Sequence, residues 1–344
     1  MTELIVESAG PATSLQDAGR FGWQRYGIGP AGAMDRVSLA VANALAGNAA
    51  GTAAIEFALA GGRFRVEGGS TRVALAGAEG NLKVGGRPVP PLTSATARDG
   101  EIVEIGAAHS GMFFYLAVAG GFTIPPTLGS LSLHHRTGIG GLKGSTLRAG
   151  DRLPLRLSEP TGPDLALPGP PEAPSGPIRV VLGPQEDHFT DAGMLTFLGS
   201  EFTISDRADR MGMQLSGPKI EHGPKGYNIV SDGIATGSIQ VPGNGLPLIL
   251  LSDRQTTGGY PKIAAVISAD LPRLVQCRPG TKLRFAAVER TEAVRLAREA
   301  EAALRSLIAK LRPVGRAALD SSALLSVNLV DGVVDARGSD SDTG

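Results

Sequence analysis

The stretch LPLILLSDRQTTGGYPK, residues 246–262, joins an apolar run to an abrupt cluster of hydrogen-bonding groups. Asp253, Arg254, Gln255, Thr256 and Lys262 bring an acid, two cations, an amide and a hydroxyl to one strand end. Between them, Gly258 and Gly259 let the backbone approach a ligand closely and can offer consecutive N–H groups to an oxyanion. Tyr260 follows directly. The chemistry this suits is the grip on a phosphate or carboxylate and the transfer of a group from it. A tight turn that satisfies its own backbone is the plain structural alternative, but it needs fewer polar groups.

Two further clusters could share that task. Ser205–Gly212 packs Asp206, Arg207, Asp209 and Arg210 into eight residues. Beside a cleft, the Arg207 or Arg210 fork would hold a substrate carboxylate; a salt-bridged strand edge is the alternative. Gln16, Asp17 and Arg20 flank Gly19 and read equally as a capped turn. Asp232 and Gln240 precede the main cluster on the same side of the sequence. The five histidines are scattered, and the adjacent His134 and His135 would point to opposite faces of a strand, so no metal site is read from them. Gly27-Ile-Gly29-Pro-Ala-Gly32 matches a dinucleotide fingerprint, but FGWQRY before it is not a buried strand and Pro30 removes an amide.

The elements that must position these residues are mostly strands. Gly supplies 48 of 344 residues, about twice the usual roughly 7%. With 24 Pro and no collagen-like period, the excess implies tight turns between short strands. Segments such as FRVEG, TRVALAG, IVEIG and FFYLAV are bounded by glycine and fit that pattern. One helix is expected at 35–47, capped by Asp35 and stopped by Gly47, and another over 289–312, ended by Pro313. Residues 158–177 are Pro-rich and non-periodic, hence a linker. The reading is a first barrel-like domain at 1–157, a second at 178–288, and a C-terminal helix and tail at 289–344, the last dozen residues disordered. Recurrent patterns, AVAGGF at 117–122 against TTGGY at 256–260 among them, suggest that the two halves are related.

Zero formal net charge gives no reason to expect nucleic acid or an anionic membrane. The lone Cys277 excludes an internal disulfide and a cysteine-based zinc site. The N-terminus does not resemble a signal peptide, and no apolar run approaches membrane-spanning length. A cytoplasmic protein is expected.

The motifs together are similar to those of a known family. SDRQTTGGYPKIAAVISADLPRLVQCRPG, AGPATSLQDAGRFGWQRYGIGPAGAMD and SDGIATGSIQVPGNGLPLILLSDRQTTGGYPK resemble signatures of the 5-oxoprolinase C subunit family, also known as allophanate hydrolase subunit 2, KipA or the biotin-dependent carboxyltransferase family. The resemblance runs from about residue 4 to 286. Thr13-Ser14-Leu15 stands where Thr-Thr-Val is common. The resemblance implies a mainly β fold with two cyclophilin-like barrels. It implies ATP, with magnesium, at a site shared with a KipI-like B subunit, together with a LamB/YcsF-type A subunit. The activity it implies is ATP-dependent opening of 5-oxo-L-proline to L-glutamate. Two alternatives stay open: carboxyl transfer from biotin to urea or another amide, and KipA-like sequestration of a kinase inhibitor. For catalysis the expectation centres on Asp253, Lys262 and Asp232. For binding it centres on Arg254, Gln255, Thr256, Gly258, Gly259, Tyr260, Arg207, Arg210, Gln240, Gln16, Asp17 and Arg20.

Overall fold

Alternating apolar strands in the first half assemble into two antiparallel sheets. The computed structural model describes residues 2–157 and 159–314. A six-stranded sheet runs in the order Arg152–Pro154, Glu3–Ala9, Gly62–Glu67, Ile102–Ile105, Leu82–Val84, Arg87–Val89. A five-stranded sheet runs Ser14–Gln16, Ala54–Ala58, Ser110–Val118, Thr71–Glu79, Ser94–Ala97. Their facing sides enclose a core in which the Phe57 ring stacks on Phe114 at 5.2 Å and meets Phe64 edge-on at 5.9 Å.

The run FFYLAV lies in a strand buried on both faces. Successive side chains point opposite ways. Phe114, Leu116 and Val118 enter the core between the sheets, while Phe113, Tyr115 and Ala117 enter a second core behind. Helix α1, Arg36–Ala46, closes that second core with Leu39, Val41 and Leu45. Both ends of α1 are as expected. The Asp35 carboxylate accepts the Val37 and Ser38 N–H groups, and Gly47 takes a left-handed φ of 84°.

The second half forms one eight-stranded sheet that nearly closes on itself. Its order is Lys282–Leu283, Phe202–Ala208, Gly212–Ser216, Leu248–Leu250, Ser238–Gln240, Lys262–Val266, Ile178–Leu182, Phe285–Ala287. The two outermost strands are consecutive in the chain, so the sheet returns to its start. The mainly β expectation holds, and the barrel character is clearest here. Helix α2, Asp191–Gly199, is absent from the sequence expectations: Gly193 and Gly199 weaken its intrinsic propensity. Its Thr190 cap and the stacking of Phe197 on Phe285 at 4.7 Å hold it in place. A short α3, Leu271–Val275, follows the barrel strands.

Three details differ from expectation. The Pro-rich segment is tied down: Leu165–Ala166 pairs with Arg312–Pro313, and Leu167 is buried. The last helix, α4, spans Arg290–Ile308 and ends before Pro313, which lies in that short ladder. The paired glycines of the two halves also differ. Gly120 and Gly121 are left-handed at 74° and 72°, whereas Gly258 and Gly259 are not. The tail expected to be disordered lies outside the described residues.

A continuous core joins the halves. Residues of α1 and the five-stranded sheet pack in one cluster with Ile204, Met213, Leu251 and Leu274. Gln276 reinforces the joint: its carbonyl oxygen accepts the Met112 and Phe113 N–H groups, and its amide donates to Asp35 at 2.8 Å.

Candidate active site at the seam

Arg210 sits where the halves meet, on the short connection between the second half's strands Phe202–Ala208 and Gly212–Ser216. Its guanidinium makes four hydrogen bonds. Nε and Nη2 each donate to Asp253 at 3.0 Å, Nη1 donates to Glu56, and Nη2 also donates to the Gly32 carbonyl at 2.7 Å. Glu56 and Gly32 belong to the first half and Asp253 to the second. The other Glu56 oxygen accepts Tyr115 OH at 2.8 Å and Met34 N–H at 2.9 Å. All of these side chains are buried.

Charge settles into a stable alternation there. Burial alone would weaken the Arg210 proton's hold, but Glu56 and Asp253 raise it above the ordinary arginine range. Burial alone would push the Asp253 carboxyl up, but Arg210 and His135 hold it well below the usual carboxylate range. His135 Nδ1 lies 3.1 Å from Asp253 Oδ2. Asp253 and Arg210, expected to meet reactant directly, are engaged with each other. The structure places them in the frame that joins the halves.

Three residues that the sequence analysis did not assign to a site belong to that frame: Glu56, Tyr115 and His135. A carboxylate inside the apolar run AIEFAL was the available signal, since a buried acid demands a partner. His134 is buried, and burial lowers its ring below the usual 6.5. Gln16 Nε2 donates to the Leu133 carbonyl at 3.0 Å, and Arg20 Nη2 to the Ser132 carbonyl. Asp17 accepts from Gly19 N–H at 2.8 Å, Leu131 N–H at 2.6 Å and the hydroxyls of Ser130 and Ser132. This trio therefore shapes the loop at 130–135.

The other end of the 251–262 stretch faces outward. Thr257–Gly258 pairs antiparallel with Asp232–Gly233, and the Ile229 N–H donates to the Gly259 carbonyl at 2.9 Å. A Cβ on Gly258 would lie 2.7 Å from both Gln240 Nε2 and Ile234 Cδ1. The expected open cradle above Gly258 is thus filled by those two side chains: glycine is needed there for close packing. Gln240 also donates to the Tyr260 carbonyl at 3.2 Å.

Lys262 is buried with its ammonium 2.6 Å from Asp232 Oδ2 and 3.1 Å from the Gly233 carbonyl. The Asp232 side chain is half-exposed. The Lys262 ammonium, then the Gly233 N–H and Gln185, hold its carboxyl below the usual range. Arg254 is buried and donates only to neutral oxygens: Ile234 carbonyl at 3.0 Å, Thr236 hydroxyl at 2.8 Å and Leu251 carbonyl at 3.4 Å. Burial, then Arg36, lower it to about 10. A buried cation with no carboxylate partner among the described residues leaves positive potential at this corner. Gln255 and Tyr260 are exposed, and Thr256 is half-buried with its carbonyl accepting the Ile234 N–H at 3.0 Å.

Arg207 lies apart from this corner, exposed on a groove of about 380 Å³ that Asp206, Met211, Gln214, Leu248 and Leu250 help to line. Among the described residues no group of three His, Cys, Asp or Glu side chains could hold a metal ion, and no helix is long and apolar enough to cross a membrane.

Comparison with known proteins agrees with this architecture. A family model for the carboxyltransferase domain, subdomain A and B, matches residues 26–287. The 5-oxoprolinase C subunit of Haemophilus influenzae is 36% identical over 288 residues, covering 84% of this chain and 92% of that protein. Its Escherichia coli counterpart is 36% identical over 298 residues, covering 85% and 93%. Among solved structures, urea amidolyase of K. lactis superposes with a TM-score of 0.82 at 26% identity, over 89% of this chain and 20% of that one. With a match this long, the chain belongs to the carboxyltransferase-domain family.

Proposed function

We propose that this chain is the C subunit of an ATP-dependent 5-oxoprolinase, acting with a LamB/YcsF-type A subunit, and with a KipI-like B subunit, in the cytoplasm. The observation that carries this reading is the match to two 5-oxoprolinase C subunits along 92% and 93% of their length. Such a component works within a complex, so activity belongs to the assembly.

The chemistry needs what the seam offers. 5-Oxoproline is a lactam whose carbonyl is made unreactive by amide resonance. Phosphoryl transfer from ATP to the carbonyl oxygen releases ADP and creates an electrophilic carbon. Water adds there, the ring C–N bond opens, and phosphate and glutamate leave. Catalysis of such a transfer rests on positioning and charge stabilisation. In this reading the uncompensated Arg254 cation draws the anionic reactant to the corner. The half-exposed Asp232 carboxylate orients it or takes its proton, and Lys262 is the positioning residue that fixes Asp232. Arg207, on its separate groove, takes no part in this reading. Magnesium arrives with the nucleotide.

The test is a Lys262→Ala variant assayed with the A and B subunits. ATP-coupled turnover is expected to fall by about 100-fold, the scale of a lost acid–base or charge contact, mainly in kcat. Lys262→Arg should restore part of it. Full turnover in the alanine variant would remove this assignment.

The superposition on urea amidolyase favours a second reading. There Arg254, Lys262 and Asp232 would hold the ureido ring of biotin, which would supply the carboxyl group destined for an amide nitrogen. Biotin and its carboxylase would act in trans. Turnover abolished by avidin would select this reading over the first.

A further inference from the structure

Aromatic side chains are scarce in this chain, with 1 Trp, 4 Tyr and 10 Phe, and most are buried. Four rings among the described residues are exposed: Phe21, Tyr26, Tyr227 and Tyr260. They do not scatter. Gln24, in the turn that carries Tyr26, donates to the Ile234 carbonyl at 2.8 Å and reaches Thr256. The Ile229 N–H bonds to Gly259, which sets Val230, 93% exposed, beside Tyr260. Tyr227 lies over Gly243, two residues from Val241, whose N–H donates to the Pro261 carbonyl. Tyr26, Tyr227 and Tyr260 therefore form a collar around the Lys262–Asp232 corner, drawn from both halves of the molecule, and Phe21 lies in the chain just before Gln24.

The collar is also basic. Arg25 stacks over the Tyr26 ring at 4.8 Å and Arg36 over Phe21 at 5.2 Å. Both arginines are exposed, and neither has a carboxylate within ion-pair distance among the described residues. Stacked arginines and tyrosines surrounding apolar groups are the composition of interface hot spots, and free surfaces seldom gather them.

We propose that this collar is the docking face for a partner protein whose contact surface is apolar at its centre and acidic at its rim. A second copy of the chain fits poorly. A two-fold contact through this face would set one basic collar, with its Arg25 and Arg36, against another of the same sign. A partner seated on the collar would cover the Lys262–Asp232 corner and exclude water from it, as phosphoryl transfer requires. The inference rests on the proposed function only for the partner's identity, the KipI-like B subunit.

Trp23, the chain's single tryptophan, is half-buried in the collar with its ring 6.0 Å from Tyr26. Incorporation of 5-fluorotryptophan into the full chain thus gives one fluorine resonance that reports this face alone. When the unlabelled B subunit is added, that resonance should shift, and gel filtration should show a complex. Tyr26→Ala, Phe21→Ala and Arg25→Glu, all at exposed side chains, should each weaken the complex by about 30-fold or more, the scale of a hot-spot truncation. A complex that forms without moving the resonance, or that the three variants leave intact, overturns the docking face and leaves the proposed function standing. Absence of any complex with the B subunit overturns both. A resonance that moves with the concentration of the chain alone, or with single-stranded RNA and not with the B subunit, also overturns the proposal.

Discussion

Arg210 is the residue on which the union of the two halves depends most. Removing its guanidinium takes the arginine from between the buried carboxylates of Glu56 and Asp253, and breaking a buried ion pair in this way typically costs about 3–5 kcal/mol. Arg210→Met should therefore lower the urea midpoint sharply. Adding Glu56→Gln and Asp253→Asn to that variant should recover part of the loss, because the charges are then removed together. His134 makes the second prediction at this scale. Burial lowers its folded-state titration below the usual 6.5, so the unfolded chain binds the proton more readily. Its contribution is fully present above 6.5 and declines as pH falls from there toward the folded value. Stability curves at about pH 7.5 and about pH 5.5, on either side of the ordinary 6.5, should converge in a His134→Gln variant relative to the parent; an unchanged difference would remove His134 as the cause.

At the scale of elements, the strand Thr257–Gly258 shows why two adjacent glycines have unequal duties. A Cβ on Gly258 meets Gln240 and Ile234 at 2.7 Å, whereas one on Gly259 meets nothing nearer than the Ile229 carbonyl at 3.5 Å. Neither has a left-handed φ, so backbone strain does not enter. Gly258→Ala should destabilise by about 1–3 kcal/mol through overpacking. Gly259→Ala should stay within about 0.5 kcal/mol, the range of a substitution away from such features. Equal midpoints for the two variants would show that Gln240 and Ile234 move aside freely.

For the whole molecule, the shared core predicts one unfolding transition. The Pro-rich connection is largely exposed at 172–177 while Leu167 anchors its middle. A protease cut within 172–177 should leave both fragments together on native gel filtration, since Arg210, Gln276 and the apolar cluster hold them independently of the peptide bond. Separation of the fragments without denaturant would show that the connection itself maintains the seam. Covering the aromatic collar with a partner should raise the midpoint of this one transition, because a ligand of the folded state alone stabilises it by mass action.

Sequence alone determined the features that depend on local chemistry. Asp35 and Gly47 bound their helix because a side-chain cap and a left-handed stop act over a few residues. Glycine-bounded apolar runs became strands because side-chain alternation is a property of the strand itself. The polar stretch at 253–262 was visible as unusual, and its long motif carried the family. Tertiary structure decided what each polar group faces. Asp253 meets Arg210 across 43 residues, and Arg210 meets Glu56 across 154. No local pattern encodes which buried charge finds which partner. Packing of the halves turned Asp253 and Arg210 into a frame, filled the space over Gly258, and left Arg254 as a buried cation that, among the described residues, faces neutral oxygens.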